Sequence, residues 1–224
     1  MVQTAFPFGK FVHGKVYMSI TILIVAATVI ISLMAFNNPR LEEQFIFWPY
    51  RVWREGEWYR LLTSGFIHAR DGGAHLFFNM LALFTFGTVV EESFIELLPL
   101  GATLYVIMYF FTIVASDGYN LFNRKNDYSY RALGASGGVS AIVFASILLN
   151  PFNKIYLMFI PVGIPAVIFA PIYLVACIYL AKRGQDNIGH IAHFTGSIIG
   201  FVFPILIKPS LFLDFIAQIQ YKLQ

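Results

Sequence analysis

Polar and apolar positions in this chain do not alternate over short distances but separate into long blocks. Between successive charged residues stand six charge-free runs, 16–39, 72–90, 97–116, 132–153, 155–181 and 187–207, each roughly 20 residues or longer. About 20 apolar residues rise far enough as a helix to cross a ~30 Å hydrocarbon core, and a charge at the centre of that core costs several kcal/mol. The blocks therefore predict six membrane-spanning helices, over about 17–37, 74–92, 97–116, 132–150, 156–181 and 188–207. A short segment, 1–16, precedes them and a tail, 208–224, follows. The fold class expected is an all-α polytopic membrane protein. The first run exceeds the ~7–15-residue apolar core of a signal peptide and reads as an uncleaved span. In the tail, Leu211, Phe215, Ile216 and Ile219 recur at helical spacing, as in an amphipathic helix lying in the interface. Between the first two spans, Arg40 to Asp71 mixes Trp, Tyr and Phe with arginines, the composition of a loop seated partly among lipid headgroups.

Composition agrees with this reading and removes other classes. Of the 224 residues, 58% are hydrophobic and 12% charged, whereas soluble domains carry roughly 25% charged residues. The 15 Lys and Arg residues, with a net charge of +3, are scattered, so there is no basic stripe for nucleic acid. A single cysteine, Cys177, excludes an intrachain disulfide and a cysteine-based metal cluster.

Polar residues inside the spans carry the chemistry. The second, fourth and sixth spans all enter from the face opposite the termini, so depth follows from the last preceding charge. His75 lies about 6 Å below that face, Ser136 about 7.5 Å, His193 about 10.5 Å and Asn79 about 12 Å. Strongly polar groups are costly in a bilayer, and four at one level are functional candidates. Ser136 sits in Gly134-Ala135-Ser136-Gly137-Gly138 at the start of the fourth span. Free N–H groups of a first helical turn suit a developing oxyanion; the same glycines also suit a packing contact between helices. Gly189, His193, Gly196 and Gly200 fall within an arc of about 60° on the sixth span, so His193 lies on a stripe that a neighbouring helix can approach closely. It is placed to take a proton from a serine or to bridge two helices. His75 and Asn79, four apart, share one helix face, as oxyanion donors or as interhelical polar contacts. A metal site drawn from His68, His75, His190 and His193 competes with these readings. No carboxyl group lies within the six runs, however, and histidines alone make an unusual hydrolytic site, so a metal site is not expected.

The pattern His75-Leu76-Phe77-Phe78-Asn79, the Gly134-Ala135-Ser136-Gly137 turn, and the Ala192-His193-Phe194-Thr195-Gly196-Ser197-Ile198-Ile199-Gly200 stripe together resemble the rhomboid intramembrane serine proteases. So does Glu57-Trp58-Tyr59-Arg60 ahead of Leu61 and Leu62. The resemblance covers about residues 17–207. It implies a six-transmembrane-helix rhomboid-like bundle and a Ser136–His193 dyad. It also implies an oxyanion hole of His75, Asn79 and the Ser136 backbone N–H, with Gly134, Gly137, Gly196, Gly200 and Arg60 as supporting positions. Transmembrane protein substrates, cleaved in or beside their spans within membrane lipid, follow from the same resemblance, with no cofactor. A catalytically inactive relative that binds clients is the alternative within the family; a small transporter would show broken helices or repeats. Two positions depart from the family pattern. Ser140 stands four residues after Ser136, where members usually place an aromatic ring against the catalytic histidine, so the orientation of His193 is expected to come from the glycine-stripe contact or from an aromatic elsewhere, such as Phe144 or Phe194. His68 and His75 are seven apart, an expanded spacing.

Orientation sets two rules against each other. Lys10, Lys15, Lys154, Lys208 and Lys222 lie on the termini face and the remaining Lys and Arg residues on the other, which by positive-inside counting would be cytoplasmic. The resemblance instead implies cytoplasmic termini and a site opening toward the outer face of the plasma (inner) membrane. That orientation is the one expected here, because several of the arginines sit in the interfacial first loop.

Overall fold

The computed structural model describes residues 9–12, 15–156, 162–183 and 189–224. Most of the expected 1–16 segment, residues 157–161 of the fifth predicted span and residue 188 of the sixth lie outside these. Strands β1 (Gly9–Val12) and β2 (Lys15–Met18) pair as an antiparallel hairpin before α1 (Ile20–Phe36). Helix α1 thus starts three residues later than its charge-free run suggests, where Ser19 caps it by accepting from the Ile22 N–H at 3.4 Å. Three short helices follow, α2 (Pro39–Phe45), α3 (Pro49–Glu55) and α4 (Arg60–Thr63). The first two open on a proline, whose fixed φ and missing N–H suit a first turn.

Then come α5 (Ala74–Leu97), α6 (Gly101–Ser116), α7 (Gly118–Asn123) and α8 (Ser136–Leu149). A second hairpin, β3 (Lys154–Ile155) with β4 (Ile164–Pro165), precedes α9 (Ala166–Arg183), α10 (His190–Ile207) and α11 (Ser210–Lys222). The helix within the 155–181 run begins only at Ala166, since Lys154–Ile155 and Ile164–Pro165 before it pair as strands. Among the described residues, four helical stretches are long and apolar enough to cross a bilayer: Ala74–Leu97, Gly101–Asn123, Ala166–Arg183 and His190–Ile207. Ile20–Phe36 and Ser136–Leu149 are apolar but shorter.

Helix α8 is the centre. Every residue from Gly137 to Leu148 except Val143 is buried, and α5, α6 and α10 pack around it. Small residues permit that position: a Cβ on Gly196 would fall on the Gly137 carbonyl, and one on Gly200 on the Ala141 backbone, so α8 and α10 meet backbone to backbone. Helix α9 is the opposite case, with only Ala166 and Cys177 buried.

Contacts define two ends. At one, the Lys208 ammonium donates to the Leu97 carbonyl (3.3 Å), tying the end of α10 to that of α5, and the Gln218 amide donates to the Leu149 carbonyl (3.3 Å), tying α11 to the end of α8. Glu91 is there too, 6% exposed. Its carboxyl group accepts from the Ser19 hydroxyl (2.8 Å) and from the N–H groups of Ile20 (2.7 Å) and Thr21 (3.0 Å), closing the start of α1 with a side chain from α5. The run 72–90 ends at this glutamate, but the helix carries on to Leu97. At the other end the connection between α2 and α3 is tied to the segment leading into α8 by the paired N–H···O bonds of Phe47 and Ala132, both 3.0 Å.

Candidate active site

The site is built on the last residues before α8. Gly134 has φ +118, a left-handed conformation that glycine adopts without strain, and its N–H donates to the Ser64 carbonyl (2.9 Å). That turn delivers Ser136 as the first residue of α8, half-buried, and no side chain caps this helix start. Its first-turn N–H groups therefore have no side-chain acceptor at this helix start.

Across from it, α10 brings His193, also half-buried. Level is fixed by backbone contact: Gly137, one residue past Ser136, abuts Gly196, one turn past His193, and a Cβ on Gly137 would stand 3.7 Å from the Ala192 carbonyl. Beside the same turn lies His75. A Cβ on Gly134 would meet its Cε1 at 2.8 Å and Nε2 at 3.0 Å. The Ala69 N–H donates, at a long 3.4 Å, to His75 Nδ1, so in the neutral ring Nε2 carries the proton and presents it toward the Gly134–Ser136 turn. The Asp71 carboxyl group accepts from the His75 backbone N–H (3.2 Å to each oxygen), fixing the start of α5. Asn79, 8% exposed, lies one turn deeper and gives one amide N–H to the His75 carbonyl (2.9 Å), leaving a second to donate.

Beneath the turn sits a group that the sequence suggested as a metal candidate. His68 is 2% exposed. Its Nε2 accepts from the Ala135 N–H (3.4 Å), and its Nδ1 lies 3.0 Å from Ser32 Oγ, which donates to the Phe66 carbonyl (2.9 Å). An amide can only donate, so the proton of the neutral ring is on Nδ1 and the chain runs His68 to Ser32 to Phe66. Burial, with His75 5.0 Å away ring to ring, pushes the His68 pKa down to about 3, and the ring is neutral. The two histidine pairs are His68 with His75 and His190 with His193, the latter rings 6.1 Å apart. Among the described residues no three His, Cys, Asp or Glu side chains are grouped to hold a metal ion.

Arg60 is 1% exposed, paired with Glu57 and donating to the carbonyls of Glu43 (2.6 Å) and Ile46 (2.9 Å). It braces α2 against α4. An aromatic ring from α9 stands beside His193. Tyr173 of α9 stacks there, centroids 6.4 Å apart and planes at 16°, and its hydroxyl lies 3.3 Å from that of Ser140. Phe144 stands behind Tyr173 at 5.8 Å.

Comparison with known proteins places the chain in a family. The family model described as the rhomboid domain matches residues 55–210, more than half of the chain. The chain belongs to the rhomboid family. It is 30% identical over 189 residues to RHOMBOID-like protein 12, mitochondrial, of Arabidopsis thaliana, covering 80% of this chain and 54% of that protein. Rhomboid protease GluP of Bacillus subtilis is 32% identical over 148 residues, 65% of this chain and 25% of GluP. Rhomboid protease AarA of Providencia stuartii is 27% identical over 216 residues, 86% of this chain and 73% of AarA. This rhomboid chain thus spans about half the length of the Arabidopsis protein and a quarter of GluP. Family membership and the apolar helices make it an integral, multi-pass membrane protein.

Sequence reading of this rhomboid did not find Tyr173, the Ser32–His68 chain or the Glu91 cap. A signal for the second existed: Thr21, Thr28 and Ser32 recur at helical spacing and are all fully buried on α1. For Tyr173 the only signal was the ring missing at Ser140.

Proposed function

We propose that this rhomboid is an intramembrane serine endopeptidase that cleaves peptide bonds in or next to transmembrane segments of other membrane proteins. Ser136 is the nucleophile and His193 its base. The observation that carries the reading is the backbone contact of Gly137 with Gly196, which puts serine and histidine on facing helices at one level, beside the His75 ring.

His193 takes the proton from Ser136 Oγ as the oxygen attacks the scissile carbonyl. The oxyanion that forms is met by the Ser136 backbone N–H, by His75 Nε2–H and by the spare Asn79 N–H, donors fixed before the reaction and so effective at stabilising the new charge. His193 then gives its proton to the leaving amine, and water hydrolyses the acyl-enzyme with the same base. Half-buried Ser136, His75 and His193 leave room for substrate and water. In this reading α1 and α8 also cross the membrane, giving six spans within a domain of about 17–207. The termini are cytoplasmic, α11 lies in the interface, and the site opens toward the outer face.

The test is labelling of Ser136 by a fluorophosphonate and cleavage of single-span substrates in liposomes. Ser136→Ala and His193→Ala should each abolish turnover, and the double variant should be little worse than either, because the two act as a unit. Additive losses would remove the dyad. A folded protein that neither labels nor cleaves would be the inactive, client-binding relative.

A further inference from the structure

Position 140 of α8 carries a serine, and the ring beside His193 arrives from another helix. Tyr173 lies parallel to the His193 imidazole at 6.4 Å and 16°. Phe169 stacks on the far side of Tyr173 (5.3 Å, 27°), and Phe144 leans on it at 5.8 Å. The tyrosine is therefore held in a file of rings that ends on His193. Its hydroxyl is tied at 3.3 Å to Ser140, which lies one turn below Ser136 on α8.

A parallel ring at this separation limits rotation of the imidazole about its bond to Cβ, the rotation that decides which nitrogen faces α8. We propose that Tyr173 is a positioning residue for His193 and that Ser140 anchors it, so that α9 sets the orientation of the base. The assignment rests on the Ser136–His193 reading. It also explains the serine at 140: a larger side chain there would occupy the space the Tyr173 hydroxyl uses. Nucleophile and anchor share α8, the base is on α10, and the aligning ring is on α9, the helix with only two buried residues and a proline, Pro171, two residues before the tyrosine. Alignment of the dyad therefore depends on α9 being docked against α8 and α10.

Four variants in liposomes test this, read as kcat and KM on a single-span substrate, as the rate of fluorophosphonate labelling and as thermal stability. Tyr173→Leu should lower kcat and the labelling rate about tenfold while KM stays within about twofold. Tyr173→Phe keeps the stack and should lose about threefold or less, and Ser140→Ala about tenfold or less. The double variant Ser140→Tyr with Tyr173→Ser returns the ring to α8 and should recover part of the kcat that Tyr173→Leu loses. The proposal is overturned if folded Tyr173→Leu keeps wild-type kcat and labelling. It is equally overturned if activity falls only in step with thermal stability and the transposed ring recovers nothing. Labelling of wild type at Ser136, lost in Ser136→Ala, separates the two levels: without it the dyad fails and takes this inference down, whereas with it an indifferent Tyr173→Leu removes only the role of the ring.

Discussion

At the residue scale, the site depends on which atom of each imidazole holds a proton. His75 presents Nε2–H because Nδ1 accepts from Ala69, and His68 presents a bare Nε2 because Ala135 donates to it. Loss of an oxyanion donor is therefore expected in His75→Ala and Asn79→Ala, each lowering kcat by roughly 10- to 1000-fold with unchanged thermal stability; unchanged kcat in either would remove that residue from the hole. His68 makes a different prediction, about pH. The folded imidazole titrates near 3 and the unfolded one near 6.5, so between those values the unfolded chain binds the extra proton. Stability contributed by the neutral ring is complete above about 6.5 and is lost as pH falls toward 3. Melting temperature in detergent should fall on acidification through that window, less steeply in His68→Gln, and equal slopes would refute the assignment. The motif residues Ser136, His193, His75 and Asn79 were legible in the sequence because regular helices convert spacing into depth and face. Tyr173 was not, because a stack between α9 and α10 depends on how two helices rotate against each other, and no spacing within one helix records that.

At the scale of elements, gaps between charges located the helices well and their ends less well. A gap shows where charge is absent, not what backbone fills it. Ile155 and Ile164, before Ala166, accordingly pair as strands, and α5 runs past its boundary charge because Glu91 turns inward to close α1. That closure is a cap supplied from 70 residues away in sequence, joining two helices at one end of the bundle. Replacing Glu91 by Ala leaves a buried hydroxyl and two N–H groups without acceptors, at about 1–3 kcal/mol each when unsatisfied. Glu91→Ala should therefore lower the melting temperature clearly and Glu91→Gln less. The kcat of the surviving folded fraction should be unchanged, since the cap lies at the end opposite Ser136. A fall in kcat without a fall in stability would show that α1 and α5 reach the site in some other way.

At the scale of the whole molecule, orientation is the prediction where two rules part. With cytoplasmic termini, alkaline phosphatase fused after Lys222 should be inactive and a fusion in the loop near Lys125 active; the reverse pattern would turn the protein over. Packing, too, is uneven across the molecule. Most of α8 is enclosed by protein, whereas α9 touches it only along one side, next to an apolar cavity of about 270 Å³ lined by Phe144, Val167, Leu174, Ile198 and Phe201 among others. Whatever hydrocarbon surrounds the protein supplies the missing wall of α9. Combined with the role proposed for Tyr173, acyl chains become part of the geometry of the base, and the length and fluidity of the lipid become variables of the reaction rate.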